Sequence, residues 1–180
     1  MAFKLIEKQV LYDGTKVRLE IHHHEDEDSG KRMKREVCAH PGAVVVLPFL
    51  DDDNILLIRT KRYAVGQLLI ELPAGTLEKS EPPINCAGRE LLEETGYLAK
   101  RIKPIASFFT SPGILSEKMH AFAAYDLQKS HQALEEGEEI EVHSVPFNVA
   151  IEMIKTGEIV DAKSIVTLMM YERFMRAPHQ

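Results

Sequence analysis

Three glutamates, Glu90, Glu93 and Glu94, are spaced so that they would lie on one side of an α-helix. At about 100° per residue, the three fall within roughly a third of the helix circumference. Like charges at this spacing repel and weaken an isolated helix by a few tenths of a kcal/mol per pair. Carboxylate oxygens are, however, the ligands that Mg²⁺ binds, together with water and phosphate oxygens. The spacing therefore predicts a divalent-metal site, with a solvated acidic helix face as the alternative.

The neighbouring residues predict where this helix begins and ends. Pro82 and Pro83 suit the first turn, whose N–H groups have no partner within the helix. Gly96 suits a left-handed cap at the carboxyl end. Arg89 lies four residues before Glu93 and can hold that carboxylate in place. The opposite side of the helix is apolar and is predicted to face a core through Ile84, Ala87, Leu91 and Leu92.

A longer motif contains these residues. From Gly75 to Tyr97 the chain reads GTLEKSEPPINCAGRELLEETGY. This resembles the Nudix box, in which a glycine, five residues, a glutamate and seven residues precede R-E-U-x-E-E-x-G-U, with U a bulky apolar residue. Tyr97 stands at the last U position in place of an aliphatic residue. The resemblance favours the metal-site interpretation and implies Mg²⁺- or Mn²⁺-assisted hydrolysis of a nucleoside diphosphate linked to another group.

Two further features resemble one group within that family. Glu71-Leu72-Pro73-Ala74-Gly75 is similar to the segment that opens the box in ADP-ribose pyrophosphatases and related nucleotide-sugar hydrolases. Pro112, sixteen residues after Gly96, resembles the proline of the ADP-ribose group. The resemblance thus implies that ADP-ribose is cleaved to AMP and ribose 5-phosphate. Three alternatives stay open: a hydrolase of another nucleoside diphosphate sugar such as GDP-mannose, an RNA-cap or dinucleoside-polyphosphate hydrolase, and a non-catalytic Nudix-fold ligand sensor.

The resemblance also implies the metal ligands and the groups around them. Glu90, Glu94 and the carbonyl of Ala74 are implied as ligands, with Glu93 close by. The acidic loop Glu135–Glu139 matches the place of a mobile carboxylate loop, although a solvated acidic loop is the alternative reading. In this loop, the resemblance implies Glu136 as the general base and Glu138 as a further metal ligand. Within the box, it implies that Glu81 and Arg89 orient the ligands.

Substrate contacts are implied before and after the box. Arg62 and Tyr63 occupy the place where the family binds the diphosphate and stacks the base. An arginine suits this role because its guanidinium matches phosphate oxygens bidentately. The remaining candidates for substrate binding are Arg59, Glu71, Pro112 and Glu117.

The composition indicates an ordinary globular protein. The chain has 180 residues, 44% of them hydrophobic, and a net charge of −6. This charge argues against a protein that coats nucleic acid or a membrane surface. Cys38 and Cys86 provide neither a disulfide framework nor metal-ligand spacing. No apolar run approaches a membrane span and Met1–Val10 has no signal-peptide core, so a cytoplasmic location is predicted.

The predicted architecture has two parts. Residues 1–40 read as an antiparallel strand meander, in which His22-His23-His24 belongs to an alternating strand rather than a metal-binding tract. The family resemblance implies that this meander pairs two subunits in a homodimer. Residues 41–180 are predicted to form an α/β/α sandwich with a mixed sheet, containing the fully apolar strand 42–49. Two later helices are predicted at 148–155 and 161–175.

Overall fold

A computed structural model describes residues 3–15, 17–134 and 137–176. These residues fall into two compact units. The first, called here the N-terminal unit, comprises the described residues up to Gly42 together with Phe109–Lys118. The second, the sandwich unit, comprises Ala43–Phe108 and the described residues from Met119 onward. The N-terminal unit thus contains a later segment that the sequence assigned to the second part.

The N-terminal unit is a three-stranded antiparallel sheet. Its strands are β1 (Phe3–Asp13), β2 (Arg18–Asp26) and β3 (Arg32–Ala39), with β2 in the centre. The three consecutive histidines lie in β2 and pair with β3, which confirms that they belong to a strand. Phe109–Lys118 adjoins the end of β3, because Cys38 exchanges backbone hydrogen bonds with Ile114 and Ser116.

The sandwich unit contains seven strands and three helices among its described residues. One sheet is mixed, since β4 pairs with β9 in parallel and with β7 antiparallel, in the order β7-β4-β9-β8. The other sheet is antiparallel, in the order β10-β5-β6. The strands are β4 (Ala43–Pro48), β5 (Asn54–Arg62), β6 (Gln67–Glu71), β7 (Ala74–Thr76), β8 (Tyr97–Phe109), β9 (Lys118–Lys129) and β10 (Ile140–Pro146).

Helices cover both faces of the mixed sheet. They are α1 (Pro83–Thr95), α2 (Phe147–Thr156) and α3 (Ala162–Phe174). Along β4, Val44 and Val46 belong to the core cluster that includes Leu91 of α1. The intervening Val45 and Leu47 belong to the cluster formed with α2 and α3. This alternation is what a strand buried on both faces requires, and it confirms the predicted α/β/α sandwich.

Helix α1 begins and ends where the sequence predicted. Pro82 is its N-cap, and Gly96 closes it in the left-handed region at φ 75°. The apolar face differs in one respect: Ile84 is 46% exposed, whereas Cys86 and Ala87 are buried, so burial begins only after the first turn. Across the described residues, no helix has the length and apolar character needed to cross a membrane.

Candidate active site

Arg89 lies at the centre of a carboxylate cluster on α1. Its Nε and Nη2 each donate to a carboxylate oxygen of Glu81 at 3.0 Å. Its Nη1 donates to Glu90 at 2.7 Å and to Glu93 at 2.9 Å. Hydrogen bonding to Arg89 lowers the pKa of Glu81 to about 2. Arg89 therefore holds the carboxylates of Glu90 and Glu93 in place, and Glu81 in turn fixes Arg89.

Gly75 has a steric role beside Glu90. A Cβ atom added at Gly75 would lie 1.9 Å from Cδ of Glu90, well inside any tolerable contact. The Glu90 carboxylate thus lies directly against the backbone of β7. This close approach explains physically why the motif begins with glycine.

Glu90 and Glu94 are carboxylates in an unfavourable environment for negative charge. Glu94 is only 6% exposed and accepts a hydrogen bond from the backbone N–H of Ala74 at 2.8 Å. Burial raises the pKa of Glu94 to about 8 and that of Glu90 to about 7. The charge of Glu138 raises both pKa values further, which links the acidic loop electrostatically to α1. A bound cation would offset the cost of the negative charges in this cluster.

The donor chemistry fits a hard divalent ion, since all the side chains concerned offer oxygen. In the described parts of the chain, no three His, Cys, Asp or Glu side chains are already arranged around a common metal position. Instead, Glu90 and Glu93 bind Arg89, and Glu94 binds Ala74. Glu136, the predicted general base, lies outside the described residues.

A second arginine adjoins this cluster. Arg62, at the end of β5, donates from Nε and Nη2 to the two oxygens of Glu71 at 2.8 and 2.6 Å. Glu71 is fully buried, and Lys163 also donates to it. Burial alone would raise the pKa of Glu71, but the hydrogen bonds and charges of its two cations leave that pKa below its usual value. The charge of Arg62 also acts on Glu94 and partly offsets the burial-induced rise in its pKa, so the arginine lies within electrostatic reach of the acidic helix face.

The other predicted substrate residues lie outside these hydrogen-bond networks. Tyr63 is 75% exposed and has Lys61 over its ring at 5.2 Å. Arg59 pairs with Glu141 of β10 at 3.5 Å. Pro112 and Glu117 belong to the N-terminal unit, where Glu117 accepts a hydrogen bond from Thr110 at 2.6 Å.

Two residues that contact the site were not predicted from the sequence. Lys163 lies in the first turn of α3, where the helix dipole disfavours a cation; this misplacement was a signal that the lysine has a carboxylate partner. Gln132 donates from Nε2 to the backbone carbonyl of Glu94 at 2.7 Å. Nothing in the sequence around Gln132 indicates that contact.

Comparisons with known proteins identify relatives of this chain. Residues 39–168 match the NUDIX domain. The chain is 39% identical to an ADP-ribose pyrophosphatase of Bacillus subtilis (strain 168) over 165 residues, covering 89% of this chain and 88% of the relative. It is 34% identical to a methanol dehydrogenase activator of Bacillus methanolicus over 169 residues, covering 92% and 90%. A GDP-mannose pyrophosphatase of Escherichia coli O1:K1 / APEC is 39% identical over 148 residues, covering 76% of each chain.

A solved structure supports the same assignment at the level of the fold. The crystal structure of an ADP compounds hydrolase superimposes with a TM-score of 0.84 at 20% identity, covering 97% of this chain and 94% of that one. The N-terminal strand sheet and the mixed sandwich sheet are thus parts of a known architecture. With the family match extending over most of the chain and the motif's side chains brought together as described, this protein belongs to the Nudix family.

Proposed function

We propose that this protein hydrolyses the diphosphate bond of ADP-ribose, giving AMP and ribose 5-phosphate. The observation that carries the proposal is that the charge of Arg62 acts on the buried Glu94, which shares α1 with Glu90. A guanidinium suited to a diphosphate thus adjoins carboxylates suited to a divalent cation. The relative named ADP-ribose pyrophosphatase, similar over 89% of this chain, supports the choice of substrate.

Glu90 and Glu94 are the residues that would hold Mg²⁺ or Mn²⁺, with Glu138 and the Ala74 carbonyl as further ligands. When bound, a divalent ion supplies positive charge to phosphate oxygens and acidifies a coordinated water. Arg89 keeps two glutamates of α1 in fixed orientations, so little reorganisation is needed at the moment of reaction.

The chain's own residues position the substrate and accept the proton. Arg62 would bind the diphosphate, and the exposed ring of Tyr63 would stack on the base. Arg59, Pro112 and Glu117 remain predicted contacts. Glu136 remains the predicted general base, because the glutamates of α1 already have roles. Replacing it with glutamine is expected to lower kcat by about two to four orders of magnitude with little change in substrate binding.

We further propose a cytoplasmic homodimer that pairs through residues 1–40. The N-terminal unit exposes several large apolar side chains that a second subunit would cover: Leu5, Ile6, Val10, Leu11, Tyr12 and Val17. Sedimentation at micromolar concentration should give the mass of a dimer. A fully active monomer under those conditions would contradict the proposal.

GDP-mannose is the second candidate substrate, favoured by the GDP-mannose pyrophosphatase relative. A panel of nucleoside diphosphate sugars, with released AMP, GMP and sugar phosphate separated by chromatography, distinguishes the two. The expected result is Mg²⁺-dependent AMP release with the highest kcat/KM for ADP-ribose. A higher kcat/KM for GDP-mannose would reassign the substrate. Binding without any cleavage in the panel would support a ligand sensor instead.

A further inference from the structure

Four charged side chains form a row from the start of α3 to the substrate arginine. Asp161, the N-cap of α3, accepts hydrogen bonds from the backbone N–H and hydroxyl of Ser164 at 2.9 and 2.6 Å. Lys163 contacts Asp161 at 3.0 Å and donates to Glu71, which binds Arg62 through two hydrogen bonds. The signs alternate along the row, so each charge has an opposite neighbour.

The location of Lys163 is unfavourable unless the carboxylates of that row compensate its charge. A cation in the first turn of a helix is repelled by the positive end of the helix dipole. The side chain of Lys163 is also largely removed from water. Its ion pairs with Glu71 and Asp161 offset both costs. The backbone N–H of Leu72 donates to the hydroxyl of Ser164 at 2.8 Å, which ties α3 to the residue that follows Glu71.

Lys163 changes what Arg62 can offer a ligand. Glu71 takes the Nε and Nη2 donors of Arg62, and the Nη1 donors are not part of that pair. Lys163 is the second cation on the buried Glu71 carboxylate and holds that carboxylate from the side of α3. Arg62 is therefore fixed through Glu71 while its own side chain stays partly exposed.

We propose that Lys163 is a positioning residue for the substrate: it acts through Glu71 to orient Arg62 toward the diphosphate. This inference rests on the proposed function and deepens it. The residue acts at a distance, since its contacts are to Glu71 and Asp161. Its removal should therefore weaken substrate binding more than it slows the chemical step.

The first test compares Lys163→Met with Lys163→Arg, which keeps the charge. With ADP-ribose at saturating Mg²⁺, Lys163→Met is expected to raise KM about tenfold while kcat changes less than about threefold. Lys163→Arg should recover most of the wild-type KM. An unchanged KM for Lys163→Met, or an equal KM increase in both variants, would overturn the inference.

The second test separates positioning from simple structural support by repeating Lys163→Met in an Arg62→Met background. If Lys163 acts through Arg62, removing it should raise KM less than about twofold there, although Tm still falls because Glu71 is then buried without a cation. The same fold-increase in KM in both backgrounds would contradict the proposed route. Should Lys163→Met fail to fold, Lys163→Gln, which keeps a donor to Glu71 without the charge, replaces it in both tests.

A third measurement keeps this inference separate from the proposed function. If wild-type protein releases no AMP from ADP-ribose, the proposed function fails, and binding of inorganic pyrophosphate in EDTA is then measured by calorimetry. A loss of about tenfold in affinity for Lys163→Met, recovered by Lys163→Arg, supports the positioning role. Equal affinities, or no pyrophosphate binding by the wild-type protein, would overturn it.

Discussion

The two arginine networks of the site differ in their balance of charge. Arg89 is shared by Glu81, Glu90 and Glu93, so carboxylates outnumber the cation. In the other network, Arg62 and Lys163 face Glu71 and Asp161. The first network carries a net negative charge, whereas the second network is neutral overall.

Two carboxylates show the effect of this difference. Glu71 and Glu94 are both buried, yet the pKa of Glu94 is raised to about 8 whereas that of Glu71 lies below its usual value. Burial disfavours the charge in both cases, and only Glu71 has two cations against it. The negative charge of Glu94 is therefore disfavoured where that of Glu71 is not, which fits the proposed cation site at Glu90 and Glu94.

The largest expected effect follows from removing one negative charge at the proposed metal site. Glu90→Gln and Glu94→Gln should each lower kcat/KM by about two orders of magnitude or more, since a divalent ion contributes several kcal/mol of charge stabilisation. The metal-free Tm should not fall. Glu152→Gln, on the exposed surface of α2, is the matched control and should keep full activity. Loss of activity that accompanies unfolding would count against direct ligation.

A steric change tests the first network without altering any charge. Gly75→Ala places a methyl group where the Glu90 carboxylate lies, so we expect activity to fall at least about tenfold and stability to fall by about 1–3 kcal/mol. Gly113→Ala is the control, because an added Cβ there meets nothing within 4 Å. Kinetics and denaturant unfolding measure both. Wild-type kinetics for Gly75→Ala would show that the Glu90 position is not critical.

The pH dependence of stability distinguishes the two buried carboxylates by sign. A raised pKa means that folded Glu94 binds a proton that the unfolded chain releases above about pH 4.5, so metal-free stability falls as pH rises toward about 8. Glu71 has a lowered pKa and contributes the opposite trend, lost as pH falls below 4.5. In EDTA, the Tm of Glu94→Gln should exceed that of wild type increasingly from pH 5 to pH 8. A constant difference would show that Glu94 does not titrate in this range.

The sequence predicted one network far better than the other. The Arg89 network lies within one motif, and helix periodicity alone places Arg89 against Glu93. The Arg62 network joins β5, β6 and α3, and the contact between Glu71 and Lys163 spans 92 positions. Periodicity carries no information about which helix start meets which strand end. The first-turn position of Lys163 therefore indicated a carboxylate partner, but not that this partner is Glu71. The same limit applies to the apolar face of α1, because periodicity does not show that the first turn, with Ile84, stays exposed.

The smallest expected effect concerns Gln132, which supports the acidic network from outside. Its Nε2 donates to the carbonyl of Glu94 at 2.7 Å, and the backbone N–H of Ala133 donates to the carbonyl of Glu93 at 3.0 Å. These are carbonyls at the end of α1 that the helix itself leaves without donors.

Gln132→Ala removes one neutral hydrogen bond, so stability should fall by about 0.5–1.5 kcal/mol. Because the Ala133 contact remains, kcat/KM should fall only about two- to fivefold. Gln128→Ala, at an exposed position of β9, is the control for both measurements. A decrease in kcat/KM as large as that of Glu94→Gln would mean that the end of α1 moves as a unit, and that the acidic network depends on its backbone support as much as on Arg89.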